Sequence, residues 1–360
     1  MSSNPDIPIL RPADVTPDWM SQVLQQASFN AKVSGFEAKK VGTGQVGESV
    51  RFTLAYDGDP GGAPRTVVGK FPSPDETSRG AGIAFGNYVR EVRFYNELAA
   101  SALITAPRCL HADVDPDTGE FVLIMEDLAP ATQGDQLRGV TVEQAALVLG
   151  EAAKLHASHW GEDKFDQCPW LFKVAAAPKL TSGDTMRTLW EGFCQRYGAR
   201  ATPAVRNIGE GIVAAYDRFE NGYVGPRCLI HNDFRPDNMM FGTPEGGYPV
   251  AVVDWQSLGY GCCMADVSYF LGGALSLDDR RTHEEALLRR YHQQLTDLGV
   301  TGYAFDQLWR DYGRYSFALF IMGFAASMVV ERTARGDDMF FAMIETASAH
   351  IQDHNALALI

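Results

Sequence analysis

The sequence predicts an α+β protein of two unequal parts. An antiparallel five-stranded sheet with helices is expected over residues 1–125, and a mainly helical part over residues 126–360. Three observations predict this. Val50, Phe52, Leu54 and Tyr56 alternate with Arg51, Thr53 and Ala55, the period of a strand. From Thr141 onward apolar residues recur at helical spacing instead. Between the later helices, two short apolar runs, 228–230 and 250–253, end on polar side chains, as buried strands delivering a site do.

The elements follow in order. Residues 1–12 read as an extended arm. Thr16 is a helix N-cap with Pro17 at the first helical position, and Trp19, Met20, Val23 and Leu24 give one apolar face. Two strands over 33–57 flank Gly42, Gly44 and Gly47, which formally satisfy G-x-G-x-x-G. A dinucleotide loop needs a helix after its glycines. Here a strand follows, which disfavours a Rossmann oxidoreductase and leaves either a phosphate-covering lid or an ordinary glycine hairpin. Residues 57–64 form a hairpin tip, and Thr66 to Phe71 is a strand carrying Lys70 near its end. Residues 72–86 are expected to be a polar loop without regular structure before about Ala81.

In the helix from Tyr88 to Leu98, Val89, Val92, Tyr95 and Leu98 face inward. Glu91 lies beside that face and can meet Lys70; Glu97 is the rival partner. Strands at 108–112 and 120–125 complete the sheet, and 129–138 is a linker. Helices are expected at 142–160, 182–198, 203–221, 278–297, 304–330 and 337–356, with another starting near Asp266 after a turn at Gly259 to Gly261. The stretch 315–330 is apolar nearly all round and should be buried. His156 and His159 stand three apart, and a packed pair outweighs a shared metal because no third ligand is evident. Trp190, Phe193 and Tyr197 suit the core better than an acceptor pocket. Tyr315, Phe320, Met322 and Met328 make the stretch 315–330 an apolar, Met-bearing wall that would suit a greasy ligand.

The net charge of −14 and the lack of a basic stripe exclude nucleic acid as a partner class. The six cysteines include no C-x-x-C pair, which suits reduced thiols in a cytoplasmic protein. The polar N-terminus with Pro5 and Pro8 does not read as a signal peptide, and Phe317 to Val330 is too short for a membrane span.

The chemistry centres on residues 228–256. Pro236 favours a loop after the first apolar run. Met239 to Phe241 and Val250 to Val253 read as two strands joined by a turn at 243–248. Side by side, they would gather Asp233, Asn238 and Asp254 at one end. Two carboxylates and an amide oxygen are hard ligands of the kind that hold Mg²⁺ bound to phosphates. The spacing matches the phosphotransfer pattern H-x-D-x-x-x-x-N followed by a strand-end Asp. There a carboxylate orients an acceptor hydroxyl and takes its proton, the role that falls to Asp233.

The run His231-Asn-Asp-Phe-Arg-Pro-Asp-Asn238, followed by VVDWQSLGYGCCMADVSYFL, resembles the aminoglycoside phosphotransferase / choline kinase superfamily. Within it, the ecdysteroid-kinase-like, CHK-type small-molecule kinases are closest. Asn232 stands where Gly is usual. The resemblance implies a protein-kinase-like, two-lobed fold that uses ATP and Mg²⁺ on a small-molecule hydroxyl. It implies that Lys70 holds phosphates with Glu91 orienting it. Backbone near Glu126 to Leu128 would form the adenine hinge, and Asn238 and Asp254 would hold the metal. His231 would brace the loop, and Asp266 would bond its backbone. A nucleotide-binding pseudokinase that serves as a partner-binding module is the alternative.

Overall fold

The computed structural model describes residues 7–42, 46–172, 182–242, 246–330 and 332–360. Helix α1 (Pro17–Gln26) opens on the Thr16 cap, whose side chain accepts from the Trp19 amide at 3.2 Å. Strands β1 (Val33–Val41), β2 (Gly47–Tyr56) and β3 (Thr66–Pro72) follow as an antiparallel meander. Helices α2 (Glu76–Ala84) and α3 (Asn87–Arg93) come next, and α3 runs into one wide π-type turn at Phe94–Leu98. Strands β4 (Cys109–Val114) and β5 (Phe121–Glu126) then close a five-stranded antiparallel sheet of order β1-β2-β3-β5-β4.

Strand β5 shows how the sheet is used. Successive side chains point to opposite faces. Val122 and Ile124 join Trp19, Met20, Val23 and Leu24 of α1 in one core. Phe121, Leu123 and Met125 join Tyr88, Val92 and Phe94, and this second core runs on without a break into the helical part. Burying each large apolar side chain of that kind contributes roughly 1.5–3 kcal/mol.

The helical lobe starts with a two-residue strand, β6 (Thr132–Gln133), and continues through α4 (Val142–Ser158), α5 (Gly183–Tyr197) and α6 (Pro203–Asn221). Strands β7 (Cys228–Ile230), β8 (Met239–Phe241), β9 (Val250–Val252) and β10 (Gly259–Gly261) carry the polar loops. Helices α7 (Met264–Ala274), α8 (Leu277–Asp297), α9 (Phe305–Tyr315), α10 (Phe317–Val329) and α11 (Ala334–Asp353) complete it. β8 pairs with β9 and with β6, and β7 pairs with β10.

Several expectations are corrected. The segment 72–86 is not a loop up to Ala81: α2 starts at Glu76, because Asp75 caps it by accepting from the Ser78 amide at 2.7 Å. The glycines at 80 and 82 concealed that helix. Gly259 to Gly261 is a strand and not a turn, since each residue finds a partner on β7. The 129–138 linker contains β6. The helix expected over 304–330 is two helices, separated at Ser316, whose hydroxyl donates to the Gly313 carbonyl at 2.7 Å.

Burial of α10 is one-sided. Phe317, Phe320 and Phe324 are buried, while Val329 is exposed and Met322 and Met328 are half-buried. Tyr315 and Phe320 belong to the core, where Tyr315 meets Phe219 and Tyr223 and Phe320 meets Trp190, so they form no open wall. Trp190, Phe193 and Tyr197 are core residues as expected. Among the described residues, no helix is long and apolar enough to cross a membrane.

Candidate phosphotransfer site

The site forms where β3 and α3 of the sheet lobe meet the loops after β7 and β9. Lys70 follows Gly69 on β3 and is nearly buried. Its Nζ lies 2.7 Å from Glu91 Oε2 on α3 and 2.9 Å from Asp254 Oδ1 beyond β9. Glu97, the rival, pairs at the surface with Arg93. One ammonium thus serves two carboxylates. Burial lowers the Lys70 pKa, but the charges of Asp254 and Glu91 outweigh it and raise the value. Burial raises Asp254, yet the Lys70 charge prevails and holds it below the usual carboxylate range. Glu91 is raised, because burial, helped by the Asp254 charge, exceeds what Lys70 offsets.

Asp254 takes a left-handed conformation, with φ 70° and ψ 71°, which turns the chain sharply at the end of β9. The next residue, Trp255, is fully buried and stacks on Phe94 with ring centroids 3.7 Å apart. Its amide donates to Glu91 Oε1 at 3.3 Å, tying the loop to α3.

The loop after β7 is fixed from beneath. Asp266, fully buried on α7, accepts from the amides of His231 at 2.7 Å and Asn232 at 2.8 Å, and from His156 Nε2 at 3.1 Å. Tyr291 completes the chain through a 2.6 Å contact between its hydroxyl and His156 Nδ1. Asn232 sits at φ 66°, a conformation that favours Gly and that Asn tolerates better than most residues. Its side-chain amide donates to the Ser257 carbonyl at 3.1 Å. His231 Nε2 lies 3.0 Å from the Val253 carbonyl, and its Nδ1 accepts from the Asp233 amide at 3.3 Å. Those partners select the neutral imidazole protonated on Nε2.

Asp233 is a quarter exposed and well held. Its carboxylate accepts from Asn238 Nδ2 at 2.9 Å and from the Tyr269 hydroxyl at 3.2 Å, and Arg235 Nε lies 3.1 Å from Oδ1. Asn238 Nδ2 also donates to the Asp233 carbonyl at 2.8 Å, which leaves the amide oxygen as the atom able to face a cation. The Val253 amide donates to the Asn238 carbonyl at 3.0 Å, linking this loop to the residue before Asp254. The structure therefore brings Lys70, Glu91, His231, Asp233, Asn238 and Asp254 into one bonded network. Hard oxygens from Asn238 and Asp254 beside a single ammonium are a donor set that fits Mg²⁺.

Comparison with known proteins now decides the family. A profile described as the phosphotransferase enzyme family matches residues 58–309. The chain belongs to that family. Solved structures share its fold at low identity. The microcompartment-associated aminopropanol kinase has a TM-score of 0.55 at 12% identity, covering 95% of this chain and 99% of that one. Choline kinase LicA from Streptococcus pneumoniae has 0.51 at 12%, covering 92% and 96%. A GDP complex of an aminoglycoside 2′-phosphotransferase-IIIa mutant has 0.51 at 12%, covering 95% and 99%. No curated protein was matched.

Other expected residues of this phosphotransferase are placed as follows. Gly42 takes φ 74° at the end of β1, and Gly44 lies outside the described residues. A Cβ on Gly47 would come within 3.2 Å of the Phe71 carbonyl and 3.3 Å of Lys70 Cε, so this glycine permits the close approach of β2 to β3. Glu126 directs its side chain away from the site, accepting from the Arg108 amide at 2.6 Å and the Tyr248 hydroxyl at 3.1 Å. The Leu128 carbonyl accepts from the Ala131 amide at 2.9 Å. His156 and His159 do not converge. His159 Nε2 lies 2.9 Å from the Ser101 hydroxyl and its Nδ1 3.0 Å from Glu162, whereas His156 meets Asp266 and Tyr291.

Four residues went unnoticed in the sequence. Asp127 clamps the lobe junction to β2 through Arg51, at 2.7 and 2.9 Å. Arg235 and Tyr269 grip Asp233. Burial lowers Arg235, but the Asp233 charge outweighs it and raises the value; burial and then Asp233 push Tyr269 well above its ordinary value. Arg90, next to Glu91, reaches across the lobes. Its guanidinium donates to the carbonyls of Gln256 at 2.6 Å, Trp170 at 3.0 Å and Phe85 at 3.0 Å, and lies 3.6 Å over the Phe172 ring. Burial pushes Arg90 down to about 9. For Arg235 the signal was present, a cation two residues beyond the key Asp. For Arg90 and Asp127 only the partners reveal the role.

Proposed function

We propose that this phosphotransferase moves the γ-phosphoryl group of ATP, with Mg²⁺, to a hydroxyl of a small molecule. The observation that carries the reading is the Lys70 ammonium held between Glu91 and Asp254, bonded through Val253 and Asn238 to Asp233. Residues 1–125 are the nucleotide lobe in this reading, and 126–360 the catalytic and acceptor lobe. Lys70 binds phosphate oxygens, and Glu91 keeps its ammonium in place. Asn238 and Asp254 hold Mg²⁺, which supplies charge neutralisation on the phosphates. Gly42, Gly44 and Gly47 allow backbone to approach the phosphates, and backbone at Glu126 to Leu128 meets the adenine.

Asp233 accepts a hydrogen bond from the acceptor hydroxyl and aligns it in line with the γ-phosphorus. The acceptor oxygen forms the new P–O bond as the bond to the β-phosphate oxygen breaks. The hydroxyl proton passes to Asp233, and ADP leaves. His231 touches no substrate; it holds the Asp233 amide and Val253 in register. Catalysis of this kind rests on positioning and charge.

The aminopropanol and choline kinases named above share this fold, which supports amino alcohols as the first acceptors to try. The test is an ATP-consumption screen over amino alcohols, other alcohols, sterols and aminoglycosides, with Asp233→Asn as the blank. Acceptor-dependent ADP release that Asp233→Asn lacks is the expected result. Nucleotide binding without turnover on any acceptor would favour the pseudokinase reading.

A further inference from the structure

Helix α8 and the end of α11 meet at a polar cluster apart from the site above. Glu284 on α8, His350 on α11 and His354, which closes α11, each bring a ligand atom to within 4.8 Å of the others. The two histidines are four apart and share a helix face. His350 is only 1% exposed, and neither of its ring nitrogens has a hydrogen-bond partner among the described residues. A buried polar group without a partner is costly, and an ion held at the site would satisfy it.

The surroundings narrow the choice. A Cβ on Gly272 would meet His350 Nδ1 at 2.7 Å, so that nitrogen lies against α7 and leaves Nε2 for the cluster. Glu284 Oε2 is held by Arg280 Nη1 at 2.7 Å and the Tyr312 hydroxyl at 3.0 Å. Its other oxygen, Oε1, lies 3.1 Å from His354 Nε2. The carboxylate is therefore oriented by outer contacts, as ligating carboxylates are, with one oxygen presented to the imidazoles. The Tyr312 ring packs on both histidines, at 4.6 and 5.1 Å, and Trp309 packs on His354 at 5.2 Å.

We propose that Glu284, His350 and His354 form a transition-metal site of the zinc class that joins α8 to α11. Two imidazole nitrogens and one carboxylate oxygen are a zinc set with an open fourth position. Imidazole donors select such ions over Mg²⁺. Binding moves the His354 proton from Nε2 to Nδ1 and requires no redox partner. Arg280 is the opposing charge, and Asp353, which accepts from its Nη2, offsets it.

The test uses the full chain stripped with chelator and titrated with Zn²⁺ and Co²⁺. One equivalent of Zn²⁺ is expected by calorimetry. Co²⁺ should give an intense visible band of low-coordinate geometry. His350→Phe, which keeps the ring packing, should lower the affinity by at least tenfold, and Glu284→Gln should do likewise. No uptake by the native chain, a weak octahedral Co²⁺ spectrum, or uptake unchanged in His350→Phe would each overturn the proposal. The native titration and spectrum decide it even where a variant fails to fold.

Discussion

Two carboxylates at the centre of the molecule, Asp266 fully buried and Asp254 with its side chain a third exposed, are treated in opposite ways. Asp266 is saturated: two backbone amides and an imidazole donate to it, and that imidazole is itself held by Tyr291. Asp254, fewer than fifteen residues before it, shares its single ammonium with Glu91. The first arrangement fixes backbone in one geometry. The second leaves one cation between two anions, so in the proposed reaction a divalent ion and a polyphosphate would redistribute charge without breaking the loop beneath. Rigidity under the site and incomplete neutralisation within it are complementary.

The comparison breaks most severely at Asp233, which the saturated scaffold would aim in the proposed reaction. Asp233→Ala should lower kcat by roughly two to four orders of magnitude in an ADP-release assay, the usual range for general-base groups. A near-native rate would remove its assignment. Asp266→Asn replaces an acceptor of three donors and should destabilise the fold by about 3–5 kcal/mol in urea unfolding. A small change there would mean the loop is held elsewhere.

Glu91→Gln leaves Lys70 with Asp254. It should reduce kcat/KM by about ten- to a hundredfold, as loss of an orienting partner does, with a folded, cooperative protein by circular dichroism. Arg90→Leu removes three donors to backbone carbonyls, two of them, on Trp170 and Gln256, across the lobes. It should cost about 1–3 kcal/mol and raise the KM for ATP, measured by initial rates.

The smallest effect concerns acidity. His350 has its folded pKa depressed, so its contribution is fully present above the unfolded value near 6.5 and is lost as pH falls through the window below it. The groups facing it are Arg280, Glu284, Tyr312 and His354. Metal-free protein should lose up to about 1.4 kcal/mol per pH unit below 6.5 from this residue, and the urea midpoint of His350→Phe should vary less over that range.

The sequence was most legible where local chemistry and long-range packing agree. The run from His231 to Asn238 names its own loop because Pro236 and the apolar strand leave few alternatives. Lys70 and Glu91 could be paired because alternation and helical period give each a facing direction. Asn232 was legible as a departure, and its backbone conformation explains why an Asn can replace Gly there. Residues whose role depends on a distant partner were not legible. Arg90 reads as a solvated helix cation until Gln256, Trp170 and Phe172 are folded against it. Helix α2 was lost because two glycines lower its intrinsic preference while its Asp75 cap and its tertiary contacts restore it. The break at Ser316 leaves no trace in an apolar run that reads as one helix.

The central claim is that Asn238 and Asp254 take up Mg²⁺ beside phosphates held by Lys70. Calorimetric titration of ATP into the chain, with Mg²⁺ and then with chelator, tests it most directly. Tighter binding by tenfold or more with Mg²⁺, abolished in Asp254→Asn, is the predicted result. Equal affinity in both conditions, or an Asp254→Asn variant that binds as the native chain does, would contradict it.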